Sequence, residues 1–269
     1  MARIRKVKQY TADTLIQALS FAQGWMKANA SEDICWFRGV TDASLSLLPS
    51  AYWRTGYDEF QTLLQFSQEG RAFADVGEVD DWRTYYLAQH NGIPTRLLDW
   101  TENFITALFF ATDGLKDGTN PCVWIVRPTQ VNKLSLSWPG LISPERNDEV
   151  NAWMPTRIAA GPSKITTKDG QWVYDNSRPL ALYPRKNNAR MVAQQGTFTV
   201  HGTDKTPLDQ WIVQQAPNDH EGILCKVVFS KKLKAATLKS ELDDLGLRRS
   251  TIYPDLQNFV QGLRDQNGW

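Results

Sequence analysis

Apolar residues along the chain come in short runs broken by polar turns, and the spacing within the runs predicts alternating helices and strands. A helix is predicted over residues 11–30, starting at a Thr11 cap and carrying Leu15, Leu19, Phe21 and Trp25 near one face. The next run, DICWFRGV, reads as a buried strand, and the Pro-containing stretch after it as a loop. Residues 57–91 read as two helices, the second capped by Asp80 or Asp81 and stopped at Gly92. IPTRLLDW predicts a strand, TENFITALFFATDG an apolar helix capped by Thr101 and ended by Gly114, and PCVWIVRP another buried strand. Residues 128–180 carry weak periodicity with several Pro and Gly, so no element is predicted there. Beyond them ALYPR, GTFTVHG and GILCKVVFS predict strands, and two helices follow, one over KKLKAATLKSELDDLG and one after Pro254. No repeat, low-complexity tract or strong linker divides the chain, which predicts one α+β domain over residues 1–269.

Composition narrows the function classes. The 269 residues carry 30 Lys and Arg against 29 Asp and Glu, so net charge alone predicts no polyanionic partner. The three cysteines, Cys35, Cys122 and Cys225, have neither metal-ligand spacing nor a disulfide framework, which fits a reducing compartment. Three histidines leave no room for a His-rich metal centre, so no metal is expected. No run approaches the ~20 apolar residues of a membrane helix. The basic start, MARIRKVKQY, lacks the apolar region of a secretory signal, and a cytoplasmic protein is expected. Eleven tryptophans are many for this length; most belong to a core, and some to ligand sites or interfaces.

Candidate chemistry is densest in LAQHNGIPTRLLDWTENFITALFFAT, where a helix end delivers Gln89 and His90 and a strand delivers Arg96, Asp99 and Thr101 beside Trp100. Strand ends running into helix starts gather ligand groups, because backbone N–H groups and side chains converge there. A turn, a helix cap and a surface Asp–Arg pair would explain the same residues. In WFRGV, Arg38 stands within an apolar strand and needs an anionic partner, either a ligand phosphate or carboxylate or an internal acid such as Asp99 or Asp42. Gly39 beside it permits close backbone approach to a ligand. In RMVAQQGTFTVHG, Gln194 and Gln195 precede a strand, where amides bond sugar hydroxyls or simply occupy a sheet edge. Basic residues recur at Arg3, Arg5, Lys6 and Lys8, at Arg185, Lys186 and Arg190, and at Lys231, Lys232 and Lys234; they read as solvated faces or as a single-stranded nucleic-acid groove.

These three segments, in this order, resemble the FRG domain family, named for the motif seen here as Phe37-Arg38-Gly39. QHNGIPTRLLDWT resembles the family's central motif and AQQGTF its C-terminal element, so the likeness spans a motif core over residues 33–200, with a C-terminal strand and helices over 201–269. Asn91 stands where members often carry an aromatic residue. The family itself implies no assigned activity. A further resemblance, to the ADP-ribosyltransferase fold, implies a split β-sheet core with flanking helices and NAD as cofactor. Carried over, Arg38 would hold the NAD, Thr101 would shape the nicotinamide pocket, and Gln195 would orient the nicotinamide ribose. Gly39, His90, Asp99 and Trp100 would line the pocket. Gln195 stands where such enzymes usually have Glu, so either another carboxylate, Asp99, Glu102 or Glu149, does the work, or the nucleophile's own chemistry suffices, or the chain binds without reacting. The acceptor would be RNA, DNA or protein, nucleic acid being slightly favoured, and an enzyme acting inside its own cell would fit a toxin restrained by an antitoxin in a toxin–antitoxin or phage-defence system. Two other readings stay open: a non-catalytic NAD-binding or partner-docking module, and a nuclease using His90 and Asp99.

Overall fold

The computed structural model describes residues 6–28, 34–115, 118–167, 169–186, 188–231, 233 and 235–268. Arg3, Arg5, Lys232, Lys234 and the last two residues of the predicted 11–30 helix lie outside the described residues. Nine strands occur among them: β1 (Lys8–Ala12), β2 (Trp36–Val40), β3 (Leu97–Thr101), β4 (Cys122–Val126), β5 (Lys164–Thr166), β6 (Val173–Asp175), β7 (Leu180–Leu182), β8 (Gly196–Val200) and β9 (Leu224–Phe229). The helices are α1 (Leu15–Ala28), α2 (Glu59–Glu69), α3 (Trp82–His90), α4 (Phe104–Thr112), α5 (Pro128–Leu136), α6 (Pro155–Ala159), α7 (Ala189–Gln194), α8 (Leu208–Gln215), α9 (Ala235–Asp244), α10 (Arg249–Ile252) and α11 (Leu256–Asn267). Seven strands form one mixed sheet in the order β1-β9-β4-β2-β3-β8-β7, with helices on both faces, an α+β fold; β5 and β6 form a separate hairpin.

The period of two in each strand decides what covers each face. On the front, Phe37, Val123, Ile125, Val227 and Phe229 pack against α1, α4 and α9. Further along the same face Leu97, Phe198, Val200, Leu180 and Leu182 pack against α2, α3 and the segment around Trp153. On the rear, Trp36, Leu98, Trp100, Trp124 and Val228 pack against α5 and α8. The front therefore carries two apolar cores, and the sheet is weakest between them. There β2 and β3 pair only at Phe37 and Thr101, whereas β2 pairs with β4 along its whole length.

Helix α4 lies so close to β2 that a Cβ on Gly39 would fall 1.8 Å from the Ala107 carbonyl oxygen. The missing side chain at Gly39 thus makes room for a helix. The start of β3 is anchored by Arg96, which is 1% exposed. Its Nε donates to Glu59 Oε2 at 2.6 Å, and its Nη1 and Nη2 donate to the carbonyls of His201 and Trp153. One guanidinium thus ties α2, β3, the turn before α6 and the end of β8.

Two predicted caps are corrected. Thr11 lies inside β1, paired with Val228, and the first turn of α1 is instead held by Thr14, whose hydroxyl accepts the Gln17 N–H. Thr101 ends β3, and Asn103 caps α4 by accepting from Ile105 and Thr106. The unread stretch 128–180 contains α5, α6, short 3₁₀ turns and the β5–β6 hairpin. No helix among the described residues is long and apolar enough to cross a membrane.

Candidate functional site

Where β2 and β3 part, the sheet opens into a cleft of about 320 Å³. Strand β2 contributes Arg38, α3 ends on it with Gln89 and His90, β3 contributes Asp99 and Thr101, and α7 contributes Arg190 and Gln194. Tyr86, Phe198, Phe110 and Tyr253 give it aromatic walls, Tyr86 and Phe198 stacking with ring centroids 4.7 Å apart.

Strand alternation would send Arg38 to the rear face with Trp36 and Val40. Instead its Nη1 donates to the Asp99 carbonyl at 2.6 Å and stands 3.8 Å from Asp99 Oδ2. The guanidinium fills the place of ladder bonds that β2 and β3 do not make, and so satisfies a carbonyl that would be left open at the split. Of the two internal acids considered for Arg38, Asp99 is its partner. Burial lowers the Arg38 pKa from the usual arginine value, and the Asp99 charge opposes this.

Asp99 is exposed on a strand whose other residues are buried. Its Oδ2 accepts from Gln89 Nε2 at 2.7 Å, and Gln89 Oε1 accepts from the Thr95 hydroxyl at 2.5 Å. This chain of bonds fixes the carboxylate at the cleft. Burial lowers the His90 pKa below the ordinary 6.5, with the charge of Arg190 adding and those of Asp99 and Asp255 opposing. The neutral imidazole is therefore the favoured form.

Thr101 borders the cleft, but its hydroxyl is committed: it donates to the Gln194 carbonyl at 2.6 Å and accepts the Asn103 N–H at 3.0 Å. With the Glu102 N–H donating to the Gln195 carbonyl, it stitches the end of β3 to the turn between α7 and β8. Gln195 itself is the left-handed residue of that turn, with φ of 48°, and its exposed side chain is not part of the cleft wall. Its neighbour Gln194 lines the cleft, its Nε2 donating to the Ile252 carbonyl. Trp100 borders the cleft, yet its indole is 3% exposed, donates to Thr199 Oγ1 and packs in the rear core, so no stacking face is free. Gly39 borders the cleft beneath α4.

Among the described residues Asp99 is the one carboxylate lining this cleft. Glu102 is paired with Lys186, and Glu149 lines a different surface groove beside Trp138 and Trp172. No group of three His, Cys, Asp or Glu gathers as a metal would need among the described residues. Burial pushes the Cys122 thiol up to about 12 and raises Cys225 as well, so neither serves as a thiolate. Among the described residues of the basic runs, Lys186 pairs with Glu102, Lys8 with Glu221, and Arg190 lines the cleft.

Arg190 and Phe198 fall in the segment RMVAQQGTFTVHG without standing out there as site residues, and Tyr253, Phe110 and Tyr86 carry no local signal of the cleft. The guanidinium of Arg190 lies over the Tyr253 ring, 4.6 Å from its centroid. Its position at the head of RMVAQQGTF was the available signal; nothing in the sequence links Tyr253 to it.

Searches of curated proteins and of solved structures found nothing that matches the chain. A family model does match, over a segment that carries β2, α2, α3, β3 and α4 and hence Arg38, His90, Asp99 and Thr101 of the cleft, while AQQGTF lies beyond it. Residues 33–119 match the FRG domain family.

Proposed function

We propose that the cleft binds NAD and that the chain is an ADP-ribosyltransferase acting on a nucleic-acid or protein acceptor. The observation that supports this reading is the convergence of Arg38, His90, Asp99 and Thr101 on one aromatic-walled cleft at the parting of β2 and β3. A volume of about 320 Å³ is of the size that holds a nucleoside portion of a ligand.

When bound, NAD supplies a ribose–nicotinamide bond whose cleavage expels neutral nicotinamide and leaves positive charge developing at the ribose. Asp99, held in place by Gln89 and Thr95, would supply toward that charge the carboxylate that Gln195, an amide, lacks. His90, whose neutral form burial favours, would take the proton that the attacking hydroxyl or amine gives up. Arg38 braces the Asp99 backbone, and Thr101 acts as a positioning residue through its clamp on α7.

A non-catalytic nucleotide-binding module is the second reading, favoured by Gln195 standing outside the cleft and by the committed Thr101 hydroxyl. Incubating the purified protein with labelled NAD and total cell lysate, then separating protein, RNA and DNA, tells the two apart. Label in one fraction, lost with a folded Asp99→Asn variant, supports the transferase. Saturable NAD binding with neither label nor nicotinamide release overturns it in favour of the module.

A further inference from the structure

We infer that Arg190 is the phosphate-binding residue of the cleft, taking a nucleotide's diphosphate; this deepens the NAD reading above and rests on it. Arg38, to which the resemblance gave that task, has its Nη1 tied to the strand beside it. Its Nη1 donates to the Asp99 carbonyl at 2.6 Å, and the Asp99 carboxylate stands 3.8 Å away.

Arg190 is different. Its Nε is buried without a hydrogen-bond partner, and it makes no ion pair among the described residues. A guanidinium N–H shut away from water with nothing to bond is costly; an anion in the cleft would meet the terminal Nη groups, which are not among the buried unpartnered atoms, and would offset that cost through the charge of the group as a whole. The Tyr253 ring, with its centroid 4.6 Å from the guanidinium carbon, occupies one face of the group. Stacking uses the face and leaves the in-plane N–H fork, which matches two oxygens of a phosphate.

Of the neighbouring charges, Asp255 feels Arg190 only as a weaker influence behind its own bonds to Asn258, and forms no ion pair with it among the described residues. Arg249 also lies over the Tyr253 ring, at 5.1 Å, but its Nη1 is bound to Asp113 at 2.8 Å and its Nε to Asn258 at 3.0 Å. Asp255 is satisfied by the Asn258 backbone N–H and side-chain amide. Arg190 is thus a cation of this cleft with no ion pair among the described residues, lining the same opening as the Asp99 carboxylate that would face the ribose. The lowered pKa of His90, to which Arg190 contributes, fits a positive charge held inside the cleft.

The test is calorimetric titration of the full chain and of Arg190→Gln and Arg190→Lys with NAD, ADP and the phosphate-free nicotinamide riboside. Arg190→Gln is expected to weaken NAD and ADP about tenfold or more, the loss of a charge-assisted bond, while riboside affinity stays within about twofold. Arg190→Lys is expected to recover part of the loss, and the deficit shrinks at high salt. Unchanged NAD and ADP binding, or equal weakening of riboside and NAD, overturns the assignment. Arg190-dependent binding of ADP without any binding of NAD keeps the assignment and removes the NAD reading. Wild-type protein that binds neither ADP nor NAD removes both.

Discussion

Burial favours the neutral form of two imidazoles in this chain, one in the cleft and one in the core. His90 and Arg190 line the same opening, whereas His201 is 1% exposed and its ring nitrogens make no well-formed hydrogen bond, only a poor one with the Thr206 backbone. Burial first, and the adjacent Arg96 charge second, lower the His201 pKa from 6.5 to about 3, with Asp204 and the Thr206 backbone opposing. The folded value lies below the unfolded one, so between the two the unfolded chain binds more protons. Stability is then lost as pH falls from 6.5 toward 3, by about 2 kcal/mol at pH 5 for this one group. His201→Phe keeps the ring volume and removes both ring nitrogens, so it is expected to lose less stability than wild type between pH 7 and pH 5. Urea midpoints of the two proteins at the two pH values provide the check, and parallel losses would show that another group titrates.

At the scale of elements, α4 resting on β2 sets the width of the cleft, and Gly39 is what lets it rest there. An added Cβ would meet the Ala107 carbonyl oxygen at 1.8 Å and the Ala111 nitrogen at 2.5 Å, both backbone atoms that cannot swing aside. Gly39→Ala is expected to cost about 3 kcal/mol or more in unfolding free energy, whereas Gly262→Ala, in α11 with nothing within 4 Å, is expected to gain up to about 1 kcal/mol. A Gly39→Ala protein as stable as wild type in urea would mean that α4 yields. The packing explains what the sequence could tell. Trp36–Val40 and Cys122–Val126 are legible as strands because covered strands need continuous apolar runs. The edge strand β1, KQYTA, is mostly solvent-facing and offers no such run. Thr11 and Thr101 look like caps because a hydroxyl precedes an apolar stretch, but backbone pairing claims both. The region 128–180 is held by remote bonds, as when Asn132 meets the carbonyl and N–H of Ala181, and remote bonds leave no local period. In the cleft, Arg38, His90, Asp99 and Thr101 come from neighbouring motifs and are readable together. The exchange of Gln194 for Gln195 turns on a left-handed backbone residue that is neither Gly nor Asn, and the Arg190–Tyr253 stack exists only once α10 has folded onto α7.

For the whole molecule, the consequence of the split is that the two front cores flank the cleft. Ala107, Leu108 and Phe37 belong to one, and Tyr86, Leu97 and Phe198 to the other. A ligand seated between them touches both, so its binding energy adds to the stability of the sheet as a unit and not to one layer alone. At a concentration about a hundred times its Kd, NAD is expected to add about 2.7 kcal/mol to unfolding, and to slow amide exchange on both sides of the opening. The segments concerned are the end of α3 with β3, and the α7–β8 turn. A rival site is available for comparison: a cavity of about 380 Å³ lined by Phe109, Asp113, Arg249 and Phe259 lies among α4, α9, α10 and α11. Hydrogen-exchange mass spectrometry with and without NAD discriminates the two. Protection at 86–101 together with 190–198 places the ligand across the split. Protection confined to 239–263 would place it in the helical cavity instead, and would detach Arg38 and Asp99 from any part in binding.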